Sequence, residues 1–207
     1  MKIAAQYGYQ NPVALKSPVK PKQKELSPVE DLALNGEKDA RPADVMISQE
    51  EAGRKGEGKR KINNLAVPIG GCSAEATRRL YYPTKASLDV LYIFNLKGEA
   101  ESRARADSRV REVNERWSKC MSESGFRVSV PSSVVSDLGL QDALQGQLAI
   151  AAAKADVDCK SKVNLVGIYY AIHCAYQNQL IDAQAESLTL AKAQLEDRLR
   201  LAASLGV

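Results

Sequence analysis

The side chains best equipped for chemistry are few. The single histidine, His173, stands next to Cys174 and invites a thiol–imidazole reading. Neighbouring residues on a helix, however, point about 100° apart and do not face each other, so His173 reads as a partly buried helix residue. A zinc site would have to gather His173 and three of the four cysteines, Cys72, Cys120, Cys159 and Cys174, from distant parts of the chain without any CxxC pair. There is no GxSxG, no HExxH and no glycine loop for phosphate. Aspartate and glutamate are so common that some pair must fall at glycosidase spacing by chance. The reading is therefore not an enzyme, with no catalytic residues, no metal and no cofactor. Tyrosines are more informative: Tyr169 and Tyr176 belong to a core stripe, whereas Tyr81, Tyr82 and Tyr170 are candidates to meet an apolar peptide or glycan in a groove between helices.

The elements that would position these residues are helical. The chain is organised around Asp107 to Phe126, where Asp107 or Ser108 can cap a helix, Val110, Val113, Trp117 and Cys120 or Met121 recur at steps of three and four, and Gly125 supplies a stop. A second apolar helix runs from Ala149 to Lys160; if Cys120 and Cys159 join, the two are stapled. The alternative is four free thiols in a reducing compartment. The favoured pairing closes loops of roughly 40 and 100 residues, each contributing about 4 to 5 kcal/mol in the chain-entropy model.

Residues 1–66 read as a flexible Pro/Lys-rich tether, partly docked, and residues 67–207 as a helical domain. Six prolines from Pro12 to Pro68 interrupt any long helix. Tyr7-Gly8-Tyr9 and Pro28 to Gly36 are the pieces expected to dock, and Glu37 to Lys61 is expected to be mobile. Beyond the tether, helices are expected over Ser73 to Leu80, from Thr84 to about Ala104, from Ser136 to Cys159, and from Asn164 to Ser204. The last, at about 40 residues and roughly 60 Å, would exceed the core it covers. Extended structure is expected only near Val128 to Ser133. The fold class is all-α: a disulfide-stapled helical bundle with a long C-terminal helix and an irregular, partly disordered N-terminal region.

At 44% hydrophobic and 26% charged the composition is that of an ordinary soluble chain. The 29 basic residues are answered by 25 acidic ones, so no nucleic-acid partner is implied. No run of 18 apolar residues spans a bilayer, and Met1 to Ala5 is too short for a signal peptide, which fits a cytosolic protein or one whose export signal has been removed.

Gly70-Gly71-Cys72 with Glu75-Ala76, Trp117-Ser118-Lys119-Cys120-Met121 with Gly125, Ala155 to Lys160, Asn164-Leu165-Val166 and Tyr176-Gln177 together resemble actinobacterial secreted proteins and lipoproteins, mostly of unassigned function. The resemblance covers most of the chain beyond residue 65, and its W-x-x-C-M…D-x-x-C-K combination is its most specific part. It implies an extracytoplasmic, membrane-tethered binding lipoprotein, anchored by an N-terminal lipid to the outer face of the cell membrane; the chain is expected to be a monomer. Some such proteins are similar to the immunity lipoproteins with which lantibiotic producers sequester their own peptide, so the implied partner is a peptide antibiotic or another apolar envelope ligand. The alternative is an envelope scaffold acting through the long C-terminal helix. Cys174 departs from the pattern, where that position is usually acidic; a Cys72–Cys174 bridge would be a feature of this member.

Overall fold

A computed structural model describes residues 1–13, 25–38, 47–55 and 58–204. In chain order the elements are α1 (Lys2–Tyr7), α2 (Pro28–Asn35), α3 (Gln49–Lys55), β1 (Lys61–Ile62), β2 (Leu65–Ala66), α4 (Gly71–Tyr81), α5 (Tyr92–Ala106), α6 (Ser108–Glu123), a 3-10 turn (Pro131–Ser133), α7 (Val134–Asp137), α8 (Gln147–Lys162), α9 (Leu165–Ala183) and α10 (Ala185–Ser204). The protein is an all-α, disulfide-stapled helical bundle. It divides into two compact units, Met1–Lys20 with Leu96–Asp182 and Pro21–Asn95 with Ala183–Val207. These units cut the chain elsewhere than the compositional boundary at residue 66.

The first unit is built on α6. Asp107 accepts from the Arg109 amide at 2.9 Å and caps the helix. Val110, Val113, Trp117 and Met121 are its buried stripe. It ends in a Schellman motif: Gly125 at φ 90° donates to Ser122, and Phe126 donates to Met121 and packs on the core. Cys120 and Cys159 are joined, with Cα atoms 5.7 Å apart, which ties α6 to α8. Val128, Val134, Cys159 and Leu165 close the core around Trp117. Asn164, at φ 52°, makes the left-handed corner between α8 and α9.

Against this core lies the N-terminal segment. α1 packs on α8, and the Tyr9 amide donates to the Leu144 carbonyl at 3.0 Å. Only glycine fits before it: a Cβ on Gly8, itself at φ 58°, would come within 2.4 Å of that same oxygen. Both pieces expected to dock are ordered, since Ser27 and Glu30 form a capping box on α2, which packs on α4 in the second unit.

Several expected elements are corrected. The helix expected from Ser136 starts only at Gln147: Gly139 turns at φ 64°, Gly146 is the N-cap of α8, and Leu148 is exposed. The helix expected from Thr84 starts at Tyr92, because Thr84 and Ser87 close a turn and Asp89 accepts from the Leu91 amide at 2.7 Å to begin a new one. The single final helix is two, parted at Gln184, and α10 buries no residue. Strand pairing occurs at β1 and β2, where Asn63 and Asn64 with positive φ make a two-residue hairpin turn, and not near Val128. Within Glu37 to Lys61, expected to be mobile, Gln49–Lys55 is helical and Lys61 is paired; residues 39–46 and 56–57 lie outside the described residues.

Candidate binding cavity

In the second unit α2, α3 and α4 surround an open cavity of about 770 Å³. Its walls carry Ser48 and Glu51 from α3 and its cap, Ser73, Thr77 and Arg78 from α4, and Lys85 from the segment that follows. α4 presents the face Gly70, Ser73, Ala74, Thr77 and Arg78, the i, i+3, i+4, i+7 spacing of one helical stripe. Its entry is held by backbone contact: a Cβ on Gly71 would stand 2.4 Å from the Leu34 carbonyl, and one on Gly36 would stand 2.6 Å from the Gly71 amide. Neither position accepts a larger residue.

The opposite wall is fixed by hydrogen bonds. Ser48, 6% exposed, forms a reciprocal capping box with Glu51. The Gln49 and Glu50 amides donate to the carbonyls of Tyr82 and Pro83 at 2.8 and 3.2 Å, filling donors that a helix start would otherwise leave open. Glu51 also meets Lys85 at 2.9 Å. The Lys85 hydrogen bond, followed by the Ser48 amide, lowers the Glu51 carboxyl to about 2.

Arg78 is the anomaly. It is 3% exposed; its Nη1 donates to the Ile69 carbonyl at 2.8 Å, and its Nε is buried without a hydrogen-bond partner. Burial lowers its pKa, and nearby Glu75 offsets part of this. Glu75 is itself engaged by Arg79 at 2.6 Å. No carboxylate among the described residues makes an ion pair with Arg78.

The residues singled out by sequence fall in different places. Tyr82 lines the cavity. Tyr81 lies under the Arg198 guanidinium, 4.9 Å from ring centroid to Cζ, beside a smaller groove of about 250 Å³ against α10. Tyr170 belongs to the first unit and is 68% exposed. Hydrogen bonding to the Cys174 thiol raises its phenol. Cys174 is a free thiol, as is the exposed Cys72, so the second bridge expected between them is not present. His173 stacks on Tyr169 at 5.8 Å and its Nε2 is buried without a partner. Among the described residues no group of three or more His, Cys, Asp or Glu could hold a metal ion. The serines, threonines and Arg78 of the cavity wall are not among the candidate residues of the sequence. The signals present were the two S-x-x-E caps, Ser27 to Glu30 and Ser48 to Glu51.

Comparison of the chain with protein-family models, curated proteins and solved structures finds no match.

Proposed function

We propose that this chain is a non-enzymatic binding protein of the cell exterior, held by an N-terminal lipid to the outer face of the membrane, and that the cavity between α2, α3 and α4 takes its ligand. The observation that carries the reading is the cavity itself, about 770 Å³ within walls fixed by caps and backbone hydrogen bonds, a size suited to a small ligand or a peptide segment. The Cys120–Cys159 disulfide supports an oxidising compartment. The family resemblance of the W-x-x-C-M…D-x-x-C-K pattern supplies the sharpest form: antibiotic self-resistance, in which the protein sequesters a lantibiotic at the surface of its producer. The test is titration of the full chain with the lantibiotic peptide while amide NMR shifts are recorded. Binding moves Ser73, Thr77 and Tyr82; no movement at high micromolar peptide overturns the proposal.

A second reading, an envelope scaffold, is favoured by α10, which buries no residue and leaves Leu190, Leu195 and Leu199 exposed. Light scattering separates the two. Self-association that is lost in a Leu195→Glu, Leu199→Glu variant favours the scaffold; a strict monomer counts against self-pairing through this helix.

A further inference from the structure

We infer that the cavity of the second unit is an oxyanion site, in which a carboxylate or phosphate group of the ligand sits beside Arg78 at the N-terminal end of α4. The inference rests on the cavity being the ligand site and adds the chemistry of what enters it. Helical side chains lean toward the N-terminus of their helix. Arg78 follows that direction far enough for its Nη1 to bond Ile69, nine residues earlier and ahead of the first turn. The guanidinium therefore stands toward the positive end of the helix dipole, where the Gly71 amide is already bonded to the Pro68 carbonyl. Of the two positive features there, the guanidinium is the one withdrawn from water.

A guanidinium keeps its proton even when buried, so the charge cannot be relieved by titration. It carries five N–H donors, yet a single backbone carbonyl accepts from it, and the buried Nε has no acceptor. The carboxylates that line the cavity, and Glu75 beside Arg78, are already engaged. Glu75 pairs with Arg79, Glu51 with Lys85 and Ser48, and Asp89 accepts from the Leu91 amide. A buried charge with no directly paired carboxylate, its neighbour Glu75 being bound to Arg79, is a costly arrangement. Open space adjoins it on the α4 face between Gly70 and Thr77, and donors that converge on such a space match an oxyanion in shape and charge. Lys85, although paired, lines the same space and adds to the positive potential.

The test uses the full chain and two probes, inorganic phosphate and acetate, each raised to tens of millimolar against sodium chloride at constant ionic strength. The expected result is a shift of the Arg78 Nε–H resonance, slow to exchange because it is buried, together with the Ser73 and Ala74 amides. Response to phosphate alone assigns a phosphate group, response to acetate alone a carboxylate. Arg78→Gln abolishes the response; should that variant fail to fold, the wild-type Nε resonance decides by itself. Ala74→Glu, which places a carboxylate of the chain on the cavity face, raises the melting temperature and removes the response to both probes. Silence of Nε to phosphate and acetate, or equal shifts with chloride, overturns the inference. If a peptide ligand still moves Thr77 and Tyr82 in that case, the binding reading survives and only the oxyanion falls.

Discussion

Asp156 offers the sharpest test of how the first unit is held together. Its carboxylate is buried on α8 and accepts from the indole Nε1 of Trp117 at 3.0 Å and from Lys160 at 2.8 Å. Replacing it by Ala leaves the indole N–H in the core without an acceptor, which costs about 1–3 kcal/mol. Lys160 is more forgiving, because its side chain is 28% exposed and can turn to water; the loss of that pair adds at most about 1 kcal/mol. The expected cost of Asp156→Ala is therefore about 1–4 kcal/mol, a large share of a domain stability of about 5–15 kcal/mol. Asp156→Asn keeps an oxygen for the indole and gives up only the charge, so its cost is about 1 kcal/mol. Trp117 is the chain's one tryptophan and is fully buried, so its emission in a urea titration reports the first unit directly. With a slope of about 1–3 kcal/mol per molar, the Ala variant loses about 1–2 M of midpoint and the Asn variant less than half of that. Equal midpoints for Ala and Asn, or an Ala variant within about 0.5 kcal/mol of the parent, the scatter of ordinary surface substitutions, would show that the buried bond to Trp117 is not what Asp156 supplies.

Other consequences follow from the same geometry. Native protein alkylated without reductant should show two reactive thiols, Cys72 before Cys174; four, or none, contradicts the pairing seen. Cys120→Ser with Cys159→Ser should lower stability by about 4 kcal/mol, the entropy of a loop of this length, read as a fall in the urea midpoint. Glu51 has its pKa lowered to about 2 against an ordinary 4.5. Its contribution is thus complete above about pH 4.5 and is lost as pH falls toward 2. The carboxyl resonance of Glu51 should show that midpoint, and in Lys85→Met it should move upward. Tyr9 is the reverse case. Burial first, then the Asp156 carboxylate, raises its phenol, so the native state is favoured below about pH 10 and loses that advantage as pH rises further. Tyr9→Phe, which removes a buried hydroxyl beside the Asp156 carboxylate, should flatten the alkaline decline in melting temperature.

What could be read in the sequence depended on whether a single residue or a long-range neighbour decided the outcome. The α6 helix is legible because everything it needs lies within it: the Asp107 cap, an apolar stripe at regular steps and a glycine stop. The staple to Cys159 was legible as an option, since each cysteine fell on a helix with the right face buried. Gly139 and Gly146 could be seen only as soft points in an apolar period. They became breaks because the chain between them turns to bury Leu140 while leaving Leu148 outside, and nothing local distinguishes those two leucines. In the N-terminal third, composition misled. Pro28 to Gly36 was legible as a docking piece, but prolines and lysines obscured the S-x-x-E cap at Ser48 and the Asn-Asn turn, which order a seven-residue helix and a hairpin beside a larger helix.

The cavity shows the same logic at the level of the site. Most of its wall residues are serines, threonines and charged side chains, types that occur on any surface, and their meaning lies in which backbone stands behind them. Gly36 and Gly71 touch through their backbones, so α2 can lie directly on the start of α4. Gln49 and Glu50 spend their amides on the Tyr82 and Pro83 carbonyls, so α3 is fixed to the segment leaving the far end of α4. With both flanking helices attached to α4 by main-chain contacts, the space between them is set by backbone geometry and not by side chains that could collapse into it. Arg78 thus stays buried beside open volume, with its acidic neighbour Glu75 bound to Arg79. Filling the space from within, as Ala74→Glu would, tests the rigidity of the walls along with the charge. If α2 and α3 are as firmly held as their contacts imply, the new carboxylate must be accommodated inside the existing volume, and the amide shifts it causes should be confined to the α4 face and Lys85, leaving α2 and the carbonyl-bonded amides of Gln49 and Glu50 in place.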